Sequence, residues 1–486
     1  MKSAGILLHI SSLPGKYGVG TLGKCAYDFV DFLAKSKQKI WQILPLNPTT
    51  YGDCPYSSPS AFAYNPYFID LDMLVEEGLL SKDALPEASI TYKVDFGKIS
   101  DRIYSLLHSA YLNRDKLLSK FNEFREENKY WLEDYALYSV LKEEHNFKPW
   151  NEWYDDFKYR RDHAIGWAKN EFKDRIEEKC FYQFLFYYQF SKLKAYANKK
   201  GIRIMGDMPI YTSYDSADVW SDTRNYQLDE YLNPKSVAGC PPDAFSEDGQ
   251  LWGNPLYDWD YLKNNNYKWW VERVKHQFKL LDIVRIDHFR GFEAYYSIPY
   301  GAPNAKIGEW KIGPGYDLFK VINKEIPNGE IVAENLGFLT EGVHKLLKKC
   351  KYPGMNIFQF ELGDGKKAPI LKEYPENNLF YTGTHDNEML MSFYNKLDMK
   401  YRKLVDKVCN ITFNDKPNLK IIEYSMNTNC KYVIVPIQDY LGLSNEEGRM
   451  NIPGVALGNW VYISKPFDYT KEMSEYIKNI TIKSGR

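Results

Sequence analysis

A (β/α)8 barrel of the TIM type, with inserted subdomains on its catalytic face, is the fold predicted by this 486-residue α/β sequence. Three observations predict it. Eight short runs of apolar or β-branched residues are bounded by Gly, Pro or Asn. Helical stretches lie between most of them, which implies a parallel sheet with right-handed crossovers, and eight such strands read as a closed barrel. Three of the runs lead into an acid: Asp287 after Ile283-Val284-Arg285-Ile286, Glu334 after Ile331-Val332-Ala333, and Asp386 after Leu379-Phe380-Tyr381. The carboxyl ends of barrel strands converge on one face, where such folds place their chemistry.

The first run, Gly5–Ile10, stops at Ser11-Ser12-Leu13-Pro14-Gly15, and a helix over Ala26–Lys35 leads to the second, Lys39–Leu46. About 155 residues then precede the third run, Gly201–Ile210, far more than one βα connection needs. The charged, aromatic, helical stretch within them, at 91–179, reads as a helical subdomain. The helix Phe181–Lys199 follows, with Phe186, Tyr187 and Tyr188 read as core. An excursion at 212–260, rich in Gly, Pro, Trp and Asp, reads as an irregular loop subdomain with little helix. Helices over Tyr267–Leu280, Gly315–Lys324 and Val343–Lys349 lead to the fourth, fifth and sixth runs, Asp282–Phe289, Glu330–Leu336 and Met355–Phe360. Leu379–Thr382 is the seventh. A small, mostly polar insertion at 388–429, with a helix over Lys400–Val408, precedes the eighth, Lys431–Ile437. The whole of 1–486 reads as one catalytic domain.

Charge is balanced, 63 basic against 64 acidic residues, so the chain carries no electrostatic footprint for nucleic acid or an anionic membrane surface. The apolar stretch at the amino terminus is too short for a secretory core, and no run of 18 apolar residues occurs. Seven scattered cysteines without a Cys-x-x-Cys pair argue against a disulfide scaffold and a zinc site, and fit a reducing cytoplasm. Aromatic residues are abundant: 40 Tyr, 26 Phe and 12 Trp. Such rings suit the C–H faces of sugars, although a large core uses them equally.

Retaining glycoside cleavage needs a nucleophilic carboxylate and a protonated carboxyl about 5–5.5 Å apart. Adjacent strands lie about 4.8 Å apart, so Asp287 on the fourth and Glu334 on the fifth meet that need. Arg285 points to the same side of its strand as Asp287 and is expected to keep it ionised. Glu334 faces that charge, which raises its pKa toward general-acid use. Asp386 suits gripping hydroxyls and stabilising a distorted, cation-like sugar, with His385 donating beside it. Taken singly, each acid also reads as a turn residue or helix cap. A metal is the other reading of clustered Asp and His, but Asp287-His288 and His385-Asp386 lack helical ligand spacing.

Val284-Arg-Ile-Asp-His-Phe-Arg-Gly291, Ala333-Glu-Asn-Leu-Gly337 and Gly383-Thr-His-Asp-Asn387 resemble the signature regions of the α-amylase clan, and more narrowly those of the 4-α-glucanotransferases (amylomaltases), glycoside hydrolase family 77. Further stretches carry the same resemblance: Ser11–Gly15, Trp41–Leu46, Gly206–Tyr211, Gly239-Cys-Pro-Pro-Asp243-Ala244-Phe245 and Gly249–Pro255. It therefore covers nearly the whole chain.

The resemblance implies a double displacement without cofactor or metal, acting on α-1,4-glucans and maltooligosaccharides as donor and acceptor. Asp287 would attack the anomeric carbon while Glu334 protonates the departing sugar, and the 4-hydroxyl of another glucan would then replace water. Tyr51, Asp53 and Tyr56 would line the donor subsite, supported by Asn65 and Pro66. Asp207, Arg285, His385 and Asn335 would hold sugar hydroxyls or orient the nucleophile, and Trp252 would face the acceptor. A hydrolase of the same clan would share all three acids, and a catalytically silent glucan-binding barrel would usually lack one. The chain departs from the family at Cys54, commonly Ser, at Tyr64, commonly Gly, and at Val461-Tyr462, where relatives carry Arg and Trp. The shape of the donor loop and one contact of the eighth loop hang on these.

Overall fold

The computed structural model describes residues 2–242, 247–337, 339–361, 373–466 and 468–486, without the side chain of Tyr51. Each of the eight predicted runs supplies a barrel strand. In chain order these are β1 Ser3–Leu7, β2 Ile40–Gln42, β3 Arg203–Met208, β4 Ile283–Ile286, β5 Glu330–Ala333, β6 Met355–Ile357, β7 Leu379–Tyr381 and β8 Tyr432–Pro436. All neighbours pair in parallel, in the order β6-β7-β8-β1-β2-β3-β4-β5. At the seam between β5 and β6 one backbone bond, Ala333 N–H to Pro353 O at 2.9 Å, joins a side-chain bond from Met355 N–H to Asn335 Oδ1 at 2.6 Å.

Strands covered on both faces carry apolar residues on both, which is why they read as continuous runs. One face fills the barrel: Leu7, Ile40, Met205, Ile283, Val332, Leu379, Tyr381 and Ile434 form one buried cluster. The other face joins the larger core under the helices. Gly206 allows one close approach there, because a Cβ would stand 2.3 Å from the Leu281 side chain. Below the apolar layer, Glu330 accepts from Arg203 at 2.5 Å, Lys431 at 2.8 Å and the Tyr432 hydroxyl at 2.6 Å, a paired charge cluster that closes the amino-terminal end.

The helix expected over Phe181–Lys199 begins earlier, at Lys173, and runs to Lys199. Phe186 is fully buried, while Tyr187 and Tyr188 pack against the core from its edge. Two buried glutamines on this helix clamp the chain that follows β2. Gln183 accepts from Tyr64 N–H at 2.7 Å and donates to Tyr64 O at 3.0 Å, and Gln189 does the same with Asp70 at 2.7 and 2.9 Å. Tyr64 itself is sandwiched between Phe186, 4.7 Å away, and His276, 5.2 Å away, so the residue that departs from the family pattern fills an aromatic stack.

The 212–260 segment differs from the irregular loop expected. Ser236–Cys240 and Gln250–Pro255 are strands, and with Ala294–Pro299 and Glu309–Ile312 they form a four-stranded antiparallel sheet beside the barrel. Gly239 and Gly253 weaken any strand pattern in the sequence, and half of the pairing comes from residues beyond β4. Within 388–429 lie helices Leu390–Lys396, Met399–Cys409 and Pro417–Met426. Among the described residues no helix is long and apolar enough to cross a membrane.

Candidate active site

Register builds the site. Asp207 on β3 pairs with Arg285 on β4, and Arg285 pairs in turn with Val332 on β5, so side chains of three strands meet inside the barrel. The Arg285 guanidinium bonds Asp207 through both oxygens, at 2.7 and 2.6 Å, and reaches Asp287 Oδ1 at 3.2 Å. The Arg285 and Asp207 side chains are 3 % and 0 % exposed, whereas 29 % of the Asp287 side chain opens outward. Arg285 therefore stands on a buried counter-ion and, through the same Nη1, reaches a carboxylate that opens outward.

Asp287 follows β4 and Glu334 follows β5, one residue beyond the paired Ile286 and Ala333. The chain then turns sharply: His288 takes a left-handed conformation at φ 48°, strained for a side chain of this size. That turn aims the His288 N–H at Glu334 Oε2, 2.9 Å away, while Leu336 N–H reaches Glu334 Oε1 at 2.6 Å. The general-acid candidate is thus fixed by backbone at both oxygens.

Burial raises Asp287. Arg285 pulls it down, and the negative charges of Asp207, Glu334 and Asp386 push it up again, leaving it raised. Burial raises Glu334 too, against Arg285 and the two backbone donors. The ionising effect expected of Arg285 is present but does not decide the outcome, because its shortest contacts belong to Asp207. The two carboxyls titrate as a pair that retains a proton at higher pH than either would alone.

Asp386 is the opposite case. Burial would raise it, but His385, with Nε2 3.2 Å from Oδ2, and Asn451, donating to Oδ1 at 2.6 Å, hold it at about 2. His385 is 4 % exposed; burial would lower its pKa, and the Asp386 charge raises it instead. Its ring lies on Tyr56, 5.2 Å away at 19°, and Trp460 leans on both. The Tyr56 hydroxyl donates to Asp207 Oδ2 at 2.6 Å. Tyr56 thereby ties the loop after β2 to β3, and its ring ties that loop to β7.

Trp252 stands with its ring edge-on to His288 at 4.9 Å and 36 % exposed, with the indole N–H held by Gln250 Oε1 at 3.1 Å. Asp53 sits in the loop at φ 56°, its carboxyl raised by burial and by Asp95. Cys54 is half-buried, its thiol raised chiefly by burial and further by the charges of Asp386 and Asp287. Asn335, expected at the sugar, turns its side-chain oxygen to the β5–β6 seam. The side chain of Tyr51, and Asp243, Ala244 and Phe245, lie outside the described residues.

Two residues escaped the sequence reading. Asn451, in the loop after β8, holds Asp386 by its side chain and His385 O by its backbone N–H at 3.1 Å. Gln42, within the Trp41–Leu46 stretch, accepts from the Tyr381 hydroxyl at 2.8 Å across the barrel. Sixty-five positions separate Asn451 from Asp386, and no local pattern links them.

The family model described as 4-alpha-glucanotransferase matches residues 8–465. A 4-alpha-glucanotransferase of Clostridium butyricum is 45 % identical over 99 % of this chain and 100 % of its own, and one of Aquifex aeolicus is 42 % identical over the full length of both. Among solved structures, an amylomaltase of Streptococcus agalactiae in complex with acarbose superposes with a TM-score of 0.96 at 36 % identity, covering 100 % of both chains. The chain belongs to the 4-α-glucanotransferases of glycoside hydrolase family 77.

Proposed function

We propose that the chain transfers α-1,4-glucan segments between maltooligosaccharides by a retaining double displacement, with Asp287 as nucleophile and Glu334 as acid and then base. The observation that carries this is the convergence of Asp287, Glu334 and Asp386 around Arg285 and His385, each carboxylate in a different electrostatic setting. In the first step Asp287 Oδ attacks the anomeric carbon, and the bond to the leaving 4-oxygen breaks as Glu334 gives that oxygen its proton. The proton held by the coupled pair resides on Glu334 in the reactive form. Glycosylation removes the charge of Asp287, and Glu334, relieved of it, becomes a stronger acid and so remains ionised to take the proton of the incoming hydroxyl.

Asp386, held ionised, faces the cation-like sugar of the transition state, and Asp207 stays bound to Arg285 and Tyr56 throughout. Trp252 offers its exposed face to the acceptor, where a sugar excludes water from the glycosyl-enzyme. The surroundings of the reaction are a reducing cytoplasm, in keeping with seven scattered cysteines without a Cys-x-x-Cys pair. Purified protein incubated with maltotriose is expected to yield glucose and a ladder of longer oligosaccharides. Maltose and glucose alone would mark a hydrolase, and a glycosyl adduct trapped on any residue but Asp287 would remove it as nucleophile.

A further inference from the structure

We propose that a cavity of about 290 Å³ behind the donor loop, between helices Leu132–Glu144, Ala217–Ser221 and Lys268–Leu280, is a second binding site for a long α-glucan chain. Its floor is the buried ring of Phe62. Tyr130 and Trp269 stand on edge around that ring, with centroids 5.8 and 5.9 Å away and interplanar angles of 84° and 88°. Both walls are fixed: the Tyr130 hydroxyl is bonded to His276 Nδ1 at 2.9 Å, and Trp269 packs edge-on against Trp270 at 5.5 Å. Tyr130 still leaves 39 % of its surface open. Rigid aromatic faces around an apolar floor match the C–H faces of a pyranose, and the volume suits one or two glucose units of a chain that continues into solvent.

The polar groups select a neutral polyol over a cation. Asp134 and Asp222, which also line the cavity, are already paired with Arg160 and Arg224, each at 2.7 Å. The guanidinium of Arg273 lies 5.3 Å from the Trp269 ring and Lys279 lies 5.4 Å from Tyr130, so both aromatic walls already face cations. Glu272, one helical turn from Trp269 and on the same face, has its nearest cation, Lys268, 3.9 Å away, beyond hydrogen-bond reach. A half-buried carboxylate with no close donor is matched by a sugar hydroxyl.

The cavity shares a wall with the catalytic side. Asp218 accepts from Ala61 N–H at 2.7 Å, and Pro59 O accepts from Ala217 N–H at 2.8 Å, just downstream of Tyr56. A polymer seated here stays tethered while a chain end enters the cleft, which raises the local concentration of ends. A trisaccharide is too short to use both sites. The proposal rests on the donor-cleft reading given above.

Maltoheptaose titrated into the Asp287→Asn protein, where turnover is arrested, is expected to fill two classes of site, and one class when Tyr130→Ala or Glu272→Gln is added. In the otherwise intact enzyme either substitution is expected to raise KM for amylose about 3–10-fold, a decade being about 1.4 kcal/mol. Kinetics on maltotriose should be unchanged. Glu272→Gln preserves shape, so a folding defect in Tyr130→Ala leaves the test intact. A single class of site in Asp287→Asn, or two classes and an unaltered amylose KM in both pocket variants, overturns the second site. Absence of all maltoheptaose binding together with absence of transfer from maltotriose overturns the donor-cleft reading itself.

Discussion

Replacing Asn451 with Ala tests whether Asp386 is positioned from outside its own strand. The substitution removes the Nδ2–H bond to Asp386 Oδ1 at 2.6 Å and leaves the backbone bond to His385 O in place. A hydrogen bond to a charged group contributes about 1.5–3 kcal/mol. The Asp386 side chain is 45 % exposed, so water replaces part of the bond, and the lower end of the range applies. His385 Nε2, 3.2 Å from the other oxygen, keeps the carboxylate ionised. The expected result is a loss of about tenfold in kcat/KM, roughly 1.4 kcal/mol, without a change in the shape of the pH profile. Asn451→Asp, by contrast, sets a carboxylate against a carboxylate; its loss should be larger and should shrink as pH falls and one of the two takes a proton. Initial rates of glucose release from maltotriose between pH 5 and 8 read both effects, with thermal melts as a check on folding. An Asn451→Ala rate within twofold of the parent, or an Asn451→Asp profile that merely parallels it, would refute the positioning role.

Asp207→Asn strands the Arg285 charge inside the barrel, at a cost of about 3–5 kcal/mol to stability. It also removes one of the charges that raise Asp287, so the acid limb of the kcat/KM profile should move to lower pH; a limb that stays put would show that Asp207 does not act on the nucleophile. Trp252→Ala should raise the acceptor KM several-fold and increase the share of hydrolysis, seen as a shortened product ladder, because the stacking face is worth about 0.5–1.5 kcal/mol beyond its area. Asp439, 2 % exposed, is pushed up to about 6 by burial against bonds from Thr382 and Leu390 N–H. An unfolded Asp titrates near 3.9, so the folded chain loses stability as pH rises from about 4 to 6 and carries the full penalty above, at most about 3 kcal/mol. Asp439→Asn should therefore stabilise at pH 8 and not at pH 4, the Thr382 hydroxyl turning to accept; equal denaturant midpoint shifts at the two pH values would contradict this.

The barrel was legible because its strands are buried on both faces and must be apolar runs, and because Asp287, Glu334 and Asp386 each sit within a few residues of such a run. Residues whose roles are local could be read the same way: Arg285 lies two positions from Asp287, on the same side of β4. What escaped depends on distant pairing. The antiparallel side sheet takes two strands from 236–255 and two from 294–312, and neither half shows an alternation strong enough to announce it. Asn451 reaches Asp386 from the next βα loop, and Asn335, adjacent to Glu334, is taken up by the seam because β5 and β6 share so few backbone bonds. Adjacency to an acid in sequence places a side chain near the site only when the strand has no other use for it.

The same geometry explains why the expected division of labour between the two acids does not follow from Arg285 alone. Four carboxylates, Asp207, Asp287, Glu334 and Asp386, share a small volume with one guanidinium and one imidazole. Arg285 is committed to Asp207 by its two shortest bonds, and His385 to Asp386, so each cation is largely neutralised before the reacting pair is considered. Asp287 and Glu334 are left to share what attraction remains, and burial makes two adjacent charges there expensive. One proton retained between them is the consequence, and a retaining mechanism needs one proton on that pair at the start. On the proposed mechanism Arg285 then biases where the proton sits: the Nη1 that bonds Asp207 also reaches Asp287, so the form with Asp287 charged and Glu334 protonated gains the contact at 3.2 Å, and the reverse form forfeits it. Converting Arg285 to a neutral residue should thus abolish activity through the wrong protonation state as well as through lost structure, and the two are separable, since only the first is relieved when Glu334 is already in its Gln form and azide is supplied as the nucleophile for a substrate with a good leaving group.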